Sequence, residues 1–279
     1  MADSAVGVGP KWGPGLIGTT IGLALYGVSI FQYLFYVSTF PNDKRLLRSV
    51  VFVVFILDTL NTIGLLSFYY RTLISCRWQT TYACTLEMPW DLSTALGTLF
   101  LVSFFVQCFY AHRVWIIGSR NVLLTGSVVV TALVQTGFGF RLLGAARSTN
   151  NITTLFDTPY APINGMGSAV CDVIITASVF FYLDRLRPRL LREDNYIRKL
   201  NLVFVQMGVI TSSCSLTMGI LYYQDQPTLQ YLTAAPGFML CKAYSNSMLA
   251  VLNARRLVSD QQQNAPASSF QLPTLSRIH

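Results

Sequence analysis

The sequence predicts an all-α membrane protein, a bundle of seven transmembrane helices with its N-terminus outside and its C-terminus in the cytoplasm. Three observations predict this fold class. The 279 residues are 52% hydrophobic and only 11% charged, whereas soluble domains carry about 25% charged residues. Seven apolar segments each reach the roughly 20 residues that cross the hydrocarbon core of a bilayer. Basic residues collect in alternate loops between these segments, as the positive-inside rule expects.

The seven segments are predicted to be helices because a helix satisfies its own backbone hydrogen bonds in lipid. None of them shows the alternation over roughly ten residues that marks a membrane β-strand. The spans run approximately over residues 15–39, 47–71, 90–114, 122–144, 164–184, 200–223 and 231–253. They form one transmembrane domain (15–256), between a short extracytoplasmic N-terminus (1–14) and a disordered cytoplasmic tail (257–279) that is enriched in Gln, Ser and Pro.

The spans differ in what interrupts their apolar character. The first contains Gly18-x-x-x-Gly22, a spacing that suits either a helix dimer or close packing against a neighbouring helix of the same chain. The second contains Asp58, and the fifth and seventh, which are the least apolar, contain Asp172 and Lys242. The third, fourth and sixth carry no ionisable residue near their centres.

Basic residues predict the orientation. Most of them lie after the first, third, fifth and seventh spans, namely Lys44, Arg45, Arg48, Arg113, Arg120, Arg185, Arg187, Arg189, Arg192, Arg198, Lys199, Arg255 and Arg256. These loops are therefore predicted to be cytoplasmic. The opposite side holds only Lys11, Arg71, Arg77, Arg141 and Arg147. The net charge of +8 then reflects orientation signals and contacts with lipid headgroups rather than a nucleic-acid partner. The loop 185–199 also suits a cytoplasmic signalling partner, although topology alone accounts for most of its charge.

Two features of the predicted outer loops agree with this orientation. Asn151 begins the sequon Asn-Ile-Thr between the fourth and fifth spans, where a glycan is expected if the site is used. Cys76 and Cys84 lie in the loop between the second and third spans, on the side where a disulfide persists. The sequence leaves open whether these two cysteines are bridged or free.

Three ionisable residues lie near the centres of their spans: Asp58, Asp172 and Lys242. Such a residue costs about 2.5–3.5 kcal/mol on insertion scales, so it needs a partner, a cavity or a function. Helical spacing extends each into a polar face, and the resulting pocket candidates are Asp58, Asn61, Asp172, Thr176, Lys242, Ser245 and Asn246. Two interpretations stay open, a ligand or ion pocket at this level and a lysine–aspartate pair that only fixes helix packing.

The chain offers little for enzyme chemistry. Its two histidines, His112 and His279, cannot build a histidine-based zinc site or bis-histidine haem ligation. No nucleophile elbow, P-loop or dinucleotide fingerprint is present. The sequence therefore predicts no metal site, no cofactor and no enzyme activity. One exception is retinal, since a lysine midway along a seventh helix is where rhodopsins form their Schiff base.

Several motifs resemble a large family of fungal, mainly basidiomycete, seven-helix membrane proteins catalogued as a domain of unknown function. The shared segments are Leu57-Asp-Thr59, Gln107-Cys-Phe-Tyr-Ala-His-Arg-Val-Trp115, Asp172 and the closing stretch Lys242-Ala-Tyr-Ser-Asn-Ser-Met-Leu-Ala-Val-Leu-Asn-Ala-Arg255. The likeness covers about residues 15–256. It implies a seven-span integral membrane protein and brings no established ligand, reaction or partner.

The sequence supports a receptor or sensor for an unidentified small ligand as its first functional hypothesis. In span number and orientation the chain resembles G-protein-coupled receptors, but Tyr110-Ala-His-Arg113 replaces their Asp-Arg-Tyr motif, and the Cys-Trp-x-Pro and Asn-Pro-x-x-Tyr motifs are missing. The alternatives are a small-solute or proton transporter and a retinal protein using Lys242. The expected location is the plasma membrane or another membrane of the secretory pathway.

Overall fold

A computed structural model describes residues 8–76, 83–118, 120–186, 195–222 and 227–263. All regular structure in these residues is helical. The helices are α1 (Val8–Thr39), α2 (Arg45–Tyr70), α3 (Ala83–Leu86), α4 (Trp90–Ile117), α5 (Val122–Thr149), α6 (Thr154–Asp157), α7 (Tyr160–Leu186), α8 (Asn195–Tyr222), α9 (Pro227–Leu232) and α10 (Ala234–Gln263). A π-helical turn, Arg71–Ser75, extends α2.

The seven long helices of the described residues overlap the seven predicted spans, but their ends differ by some residues. The last, α10, begins at Ala234 rather than 231, because Pro227–Leu232 forms the separate helix α9. Helix α1 begins at Val8 rather than 15, and α10 continues to Gln263, so the first part of the tail predicted to be disordered is helical. Five helices are confirmed as long and apolar enough to cross a membrane, over Trp12–Thr39, Arg45–Ser75, Trp90–Ile116, Val122–Thr149 and Tyr160–Tyr182. They indicate a multi-pass membrane protein. The apolar part of α8 is shorter, Gly208–Tyr222.

The long helices form a closed ring in chain order. Each packs against the next, from α1 through α2, α4, α5, α7, α8 and α10, and α10 returns to contact α1. Helix α10 also touches α2 and α4, so it reaches into the middle of the bundle. It is therefore the element through which most other helices are connected.

The distribution of polarity is that of a protein in lipid. The interior holds Asp58 and Lys242, which are 0% and 1% exposed, whereas Phe31 and Phe181 on the outside are each 69% exposed. Large apolar side chains facing outwards are costly in water but favourable against lipid tails. Helix α10 carries more polar residues than the other long helices for the same reason, because several of its polar side chains face the interior.

The small residues of α1 pack within the chain. A side chain on Gly18 would collide with the backbone of Ala235 on α10, and one on Gly22 would lie 3.5 Å from the Phe238 carbonyl and 3.6 Å from Lys242 Cγ. Of the two interpretations of this motif, the structure matches close packing against a helix of the same chain.

The two ends of the bundle carry different features. At one end, the disulfide end, Cys76 is bonded to Cys84 with their Cα atoms 5.8 Å apart. Asn151 lies at the same end, since the neighbouring Ile152 amide donates to the Leu86 carbonyl at 2.8 Å. Its side chain is half-buried and accepts from the Thr153 amide at 2.9 Å.

At the opposite end, the Arg255 end, α10 is tied to the turn between α1 and α2. Arg255 Nη2 donates to Asp43 Oδ2 at 2.7 Å, and Tyr36 donates to the same oxygen at 2.9 Å. The Arg255 guanidinium also lies 4.4 Å from the centre of the Phe40 ring. Of the predicted basic loop, Arg187, Arg189, Arg192 and the side chain of Arg185 lie outside the described residues.

Candidate functional site

A lysine–aspartate pair joins α2 to α10 at mid-height. Lys242 Nζ donates to Asp58 Oδ1 at 2.6 Å and to the Asp58 backbone carbonyl at 2.8 Å. The two side chains are 2% and 0% exposed. Because water cannot reach them, their charges balance only each other. The pair therefore acts as a direct cross-link between two helices.

The neighbours of this pair give it a partly polar surrounding. Cys241 Sγ donates to Asp58 Oδ1 at 3.6 Å, and Lys242 Nζ lies 5.3 Å from the centre of the Tyr26 ring. The other carboxylate oxygen, Asp58 Oδ2, is also buried, and the buried Ser29 hydroxyl lies beside this carboxylate. Two of the three N–H groups of the ammonium thus have acceptors on Asp58, and the Tyr26 ring lies on the same site.

Of the four further pocket candidates, two bond to backbone carbonyls and two make no hydrogen bond among the described residues. Asn61 Nδ2 donates to the Ala95 carbonyl at 2.8 Å, and Asn246 Nδ2 donates to the carbonyls of Leu25 and Lys242, both at 2.9 Å. Asn61 thus tethers α2 to α4, and Asn246 tethers α10 to α1. The hydroxyls of Thr176 and Ser245 are buried and make no hydrogen bond within the described part of the chain.

Asp172 belongs to a second cluster. Its Oδ2 accepts from the Tyr244 hydroxyl at 2.8 Å, and its Oδ1 accepts weakly from Gln107 Nε2 at 3.4 Å. The Tyr244 hydroxyl also lies 2.7 Å from Ser168 Oγ, which is 3.3 Å from Ser215 Oγ. Among the described residues no Lys or Arg forms an ion pair with Asp172. The structure therefore separates Asp172 from Lys242.

Two glutamines extend this second cluster across the bundle. Gln107 on α4 uses its amide nitrogen on Asp172, so its oxygen is free to accept from Gln135 Nε2 on α5. Gln135 Nε2 also donates to Ser103 Oγ at 3.2 Å. The acceptor at Asp172 thus fixes the direction of both amides. Gln135 Oε1 is left buried with no hydrogen-bond partner among the described residues.

A cavity of about 160 Å³ lies between the cluster and the disulfide end. Its walls are mainly apolar and aromatic, and they include Trp12, Phe68, Phe100, Phe156, Tyr231 and Phe238. Three members of the second cluster, Ser103, Gln135 and Ser168, also line it, together with Asn164. Convergent polar groups in an otherwise apolar cavity are the usual form of a small-molecule site.

The cavity and the predicted pocket do not coincide. None of the seven pocket candidates lines this cavity, and Lys242 is paired with Asp58 instead of facing it. Of the two interpretations of Lys242, its contacts match the lysine–aspartate pair. Asp172 is linked to the cavity indirectly. Ser168 lines the cavity, and the Tyr244 hydroxyl contacts both Ser168 and Asp172.

Sequence reasoning missed Gln107, Gln135 and Ser103. It considered only ionisable residues inside spans, yet a glutamine amide in the middle of an apolar helix also needs hydrogen-bond partners in lipid. Gln107 and Gln135 are 0% and 2% exposed. Counting amides together with charges would have identified the second cluster.

The arrangement can bind a small molecule and can hold hydrogen bonds in a dry environment. Among the described residues, no group of three or more His, Cys, Asp and Glu side chains is placed to hold a metal ion. The cavity, the two glutamines and Asp172 are therefore the parts of the molecule on which a functional argument can rest.

Comparison with known proteins gives one match. No curated protein and no solved structure matches the chain. Residues 168–257 match the model of a family of unknown function, DUF6534, in agreement with the resemblance to a family catalogued as a domain of unknown function. The match begins at Ser168 beside the cavity and runs through Asp172, Lys242 and Arg255, so the α7–α10 half of both polar clusters lies in the matched segment.

Proposed function

We propose that this chain is a seven-span receptor or sensor that takes a small molecule into the cavity near the disulfide end. One observation carries the proposal. The cavity has apolar walls and a polar base, and Ser168 of this base is hydrogen-bonded to Tyr244 of α10. Helix α10 in turn contacts α1, α2, α4 and α8. A ligand that contacts the base would therefore act on the helix that connects the bundle.

Seven spans are supported by the ring itself. Helices α8 and α10 have 28 and 30 residues, and about 20 residues cross the hydrocarbon core at 1.5 Å per residue. They are adjacent in the ring and together fill the gap between α7 and α1, which are both apolar enough to span. Their lower hydropathy agrees with the polar side chains that they turn inwards, such as Lys242 and Ser215.

The orientation is supported by the two ends. Cys76, Cys84 and Asn151 share the disulfide end, which we assign to the outside, where disulfides and N-glycans are formed. The opposite end carries Arg255 and the turn that contains Lys44 and Arg45, which suits the cytoplasm.

A route from the cavity to the cytoplasmic end follows α10. Tyr244 contacts the cavity base through Ser168, Ser247 accepts from Tyr110 of α4 at 2.7 Å, and Arg255 binds Asp43 of the α1–α2 turn. A ligand shifts such a system only if it binds two arrangements of α10 with different affinity. The Arg255–Asp43 contact is where we expect the second arrangement to differ.

Proton or solute transport is the second candidate. It is favoured by Asp172, a buried carboxylate whose described partners are neutral and which is connected to the cavity through Tyr244 and Ser168. Chains of hydroxyl and carboxyl groups inside a membrane are characteristic of proton pathways. In liposomes that contain a pH-sensitive dye, a transporter would carry protons and Asp172→Asn would stop the flux, whereas a receptor would carry none.

Labelling of engineered cysteines tests topology and coupling together. Asn42 lies in the exposed turn at the Arg255 end and Ser148 is exposed at the disulfide end. In intact cells a membrane-impermeant maleimide should label Ser148→Cys and spare Asn42→Cys.

Coupling is tested in open membrane fragments, where phenol serves as a small probe for the cavity. Phenol should change the labelling rate of Asn42→Cys and leave that of Ser148→Cys unchanged. Phenol that binds without altering the Asn42→Cys rate would overturn the receptor proposal.

A further inference from the structure

The side-chain oxygen of Gln135, Oε1, has no hydrogen-bond partner among the described residues, and this indicates which ligand the cavity can bind. Gln135 lines the cavity, is 2% exposed, and keeps Oε1 buried with no hydrogen-bond partner among the described residues. A buried acceptor left without a donor costs free energy. In an otherwise well-satisfied cluster, such an atom beside a cavity marks a position where a ligand can supply the missing donor.

The direction of the amide is determined by its neighbours. Gln107 Nε2 donates to Asp172 Oδ1, so Gln107 Oε1 is the atom that accepts from Gln135 Nε2. Gln135 Nε2 is also bonded to Ser103. Turning the Gln135 amide around would place oxygen against oxygen. Gln135 therefore holds, at the edge of the cavity, an acceptor that none of its described neighbours uses.

The size and walls of the cavity define the rest of the ligand. An engineered apolar cavity of about 150 Å³ in another protein binds benzene, and the present cavity holds about 160 Å³. Its aromatic walls, such as Phe100 and Phe238, suit an apolar body. No Lys, Arg, Asp or Glu is among the described residues that line it, so a charged ligand would enter without a counter-charge.

We infer that the cavity binds a small, uncharged, mainly apolar molecule of about one ring that carries a hydroxyl or N–H donor, and that Gln135 Oε1 accepts from this donor. This inference rests on the proposed function, because it names the ligand class of the same cavity. It makes Gln135 the residue that distinguishes a donor-bearing ligand from a hydrocarbon of the same shape.

Phenol and toluene form a matched pair of probes, since they have nearly the same shape and only phenol has a donor. Equilibrium binding of each tritiated compound to the full chain in nanodiscs is measured, and binding to empty nanodiscs is subtracted. In the wild type, phenol should bind more tightly relative to toluene than their water-to-cyclohexane partitioning predicts. Gln135→Met keeps the length of the side chain and removes the acceptor, and it should lower the phenol-to-toluene affinity ratio roughly tenfold.

Gly165 supplies the control for the cavity itself. It is buried and lines the cavity, and a Cβ atom there would meet nothing within 4 Å. Gly165→Leu should therefore fill the cavity while both glutamines are retained, and it should abolish the binding of both probes. Toluene binding by Gln135→Met reports whether that variant keeps its fold. If the variant does not fold, the comparison of phenol with toluene in the wild type decides whether a donor is recognised.

The outcomes separate the two proposals. If both probes bind, Gly165→Leu abolishes binding, and the affinity ratio is unaffected by Gln135→Met, the donor inference is overturned and the cavity stands. If neither probe binds the wild type, or if Gly165→Leu binds both as well as the wild type does, the cavity is not the ligand site. The proposed function then fails as well.

Discussion

Removing one member of the Asp58–Lys242 pair should destabilise the protein far more than removing both. Lys242 Nζ and Asp58 Oδ1 are 2.6 Å apart, and the two side chains are at most 2% exposed. Lys242→Met would leave Asp58 with only the Cys241 thiol at 3.6 Å as a side-chain donor to Oδ1. Breaking a buried pair from one side costs about 3–5 kcal/mol, so we expect the midpoint of thermal unfolding to fall by roughly 6–20 °C.

The double variant Asp58→Asn/Lys242→Met should recover most of this loss. It buries no charged group at this site, and replacing a whole buried pair by uncharged side chains often leaves stability nearly unchanged. We expect its stability to lie within about 1 kcal/mol of the wild type. The assay is thermal unfolding of the purified full chain in one detergent, with both single variants measured in parallel as a double-mutant cycle.

Arg71 and Asp91 provide a control pair. Their charged atoms are 2.8 Å apart, a separation close to that of the buried pair, but the side chains are 48% and 22% exposed. Arg71→Met should therefore cost at most about 1 kcal/mol. A double Asp58/Lys242 variant that loses the full sum of its single losses would refute the reasoning, because the two residues would then act independently.

Three further predictions follow from other contacts. Gly18→Ala should lower the unfolding temperature because its methyl group meets the α10 backbone, whereas Gly27→Ala, which meets nothing within 4 Å, should not. The hydrogen bond from Arg255 lowers the pKa of Asp43 below its ordinary value of 3.8. The contribution of the Asp43 carboxylate to stability should therefore persist above about pH 4 and disappear as the pH falls through the lowered pKa. A series of unfolding temperatures should show this acid loss in the wild type and not in Asp43→Asn. Tyr244→Phe removes the 2.8 Å donor to Asp172 and should cost about 1–3 kcal/mol in the same assay.

Helix positions could be predicted from the sequence because lipid leaves the backbone few alternatives. Apolar segments of about 20 residues had to be helical, and each of the seven long helices of the described residues overlaps most of one predicted segment. Their ends were less predictable. Helix α10 continues to Gln263 through a Gln-rich stretch whose composition alone suggested disorder, since a helix already started by tertiary packing extends at little cost.

The partner of Lys242 could not be predicted because it depends on the order of the ring. Helical spacing places Asp58, Asp172 and Lys242 on polar faces of three helices, but it does not say which helices are neighbours. In the ring α10 packs against α8, and it also reaches into the bundle to contact α2. Asp58 of α2 thereby becomes the counter-charge of Lys242. The cavity was equally hidden, because a void arises from how side chains of several helices fill space and leaves no pattern in one chain.

The two clusters differ in what they can do, and this difference moves the functional emphasis from Lys242 to Asp172. The Asp58–Lys242 pair holds two full charges in a site that water does not reach, so every arrangement that separates them is strongly disfavoured. The second cluster is made of hydroxyls and amides around one carboxylate, and its hydrogen bonds can be exchanged for others at far smaller cost. It also touches the cavity through Ser168 and Gln135. A ligand effect should therefore pass through Tyr244, and Tyr244→Phe should weaken the phenol-dependent change at Asn42→Cys more than its loss of stability would explain.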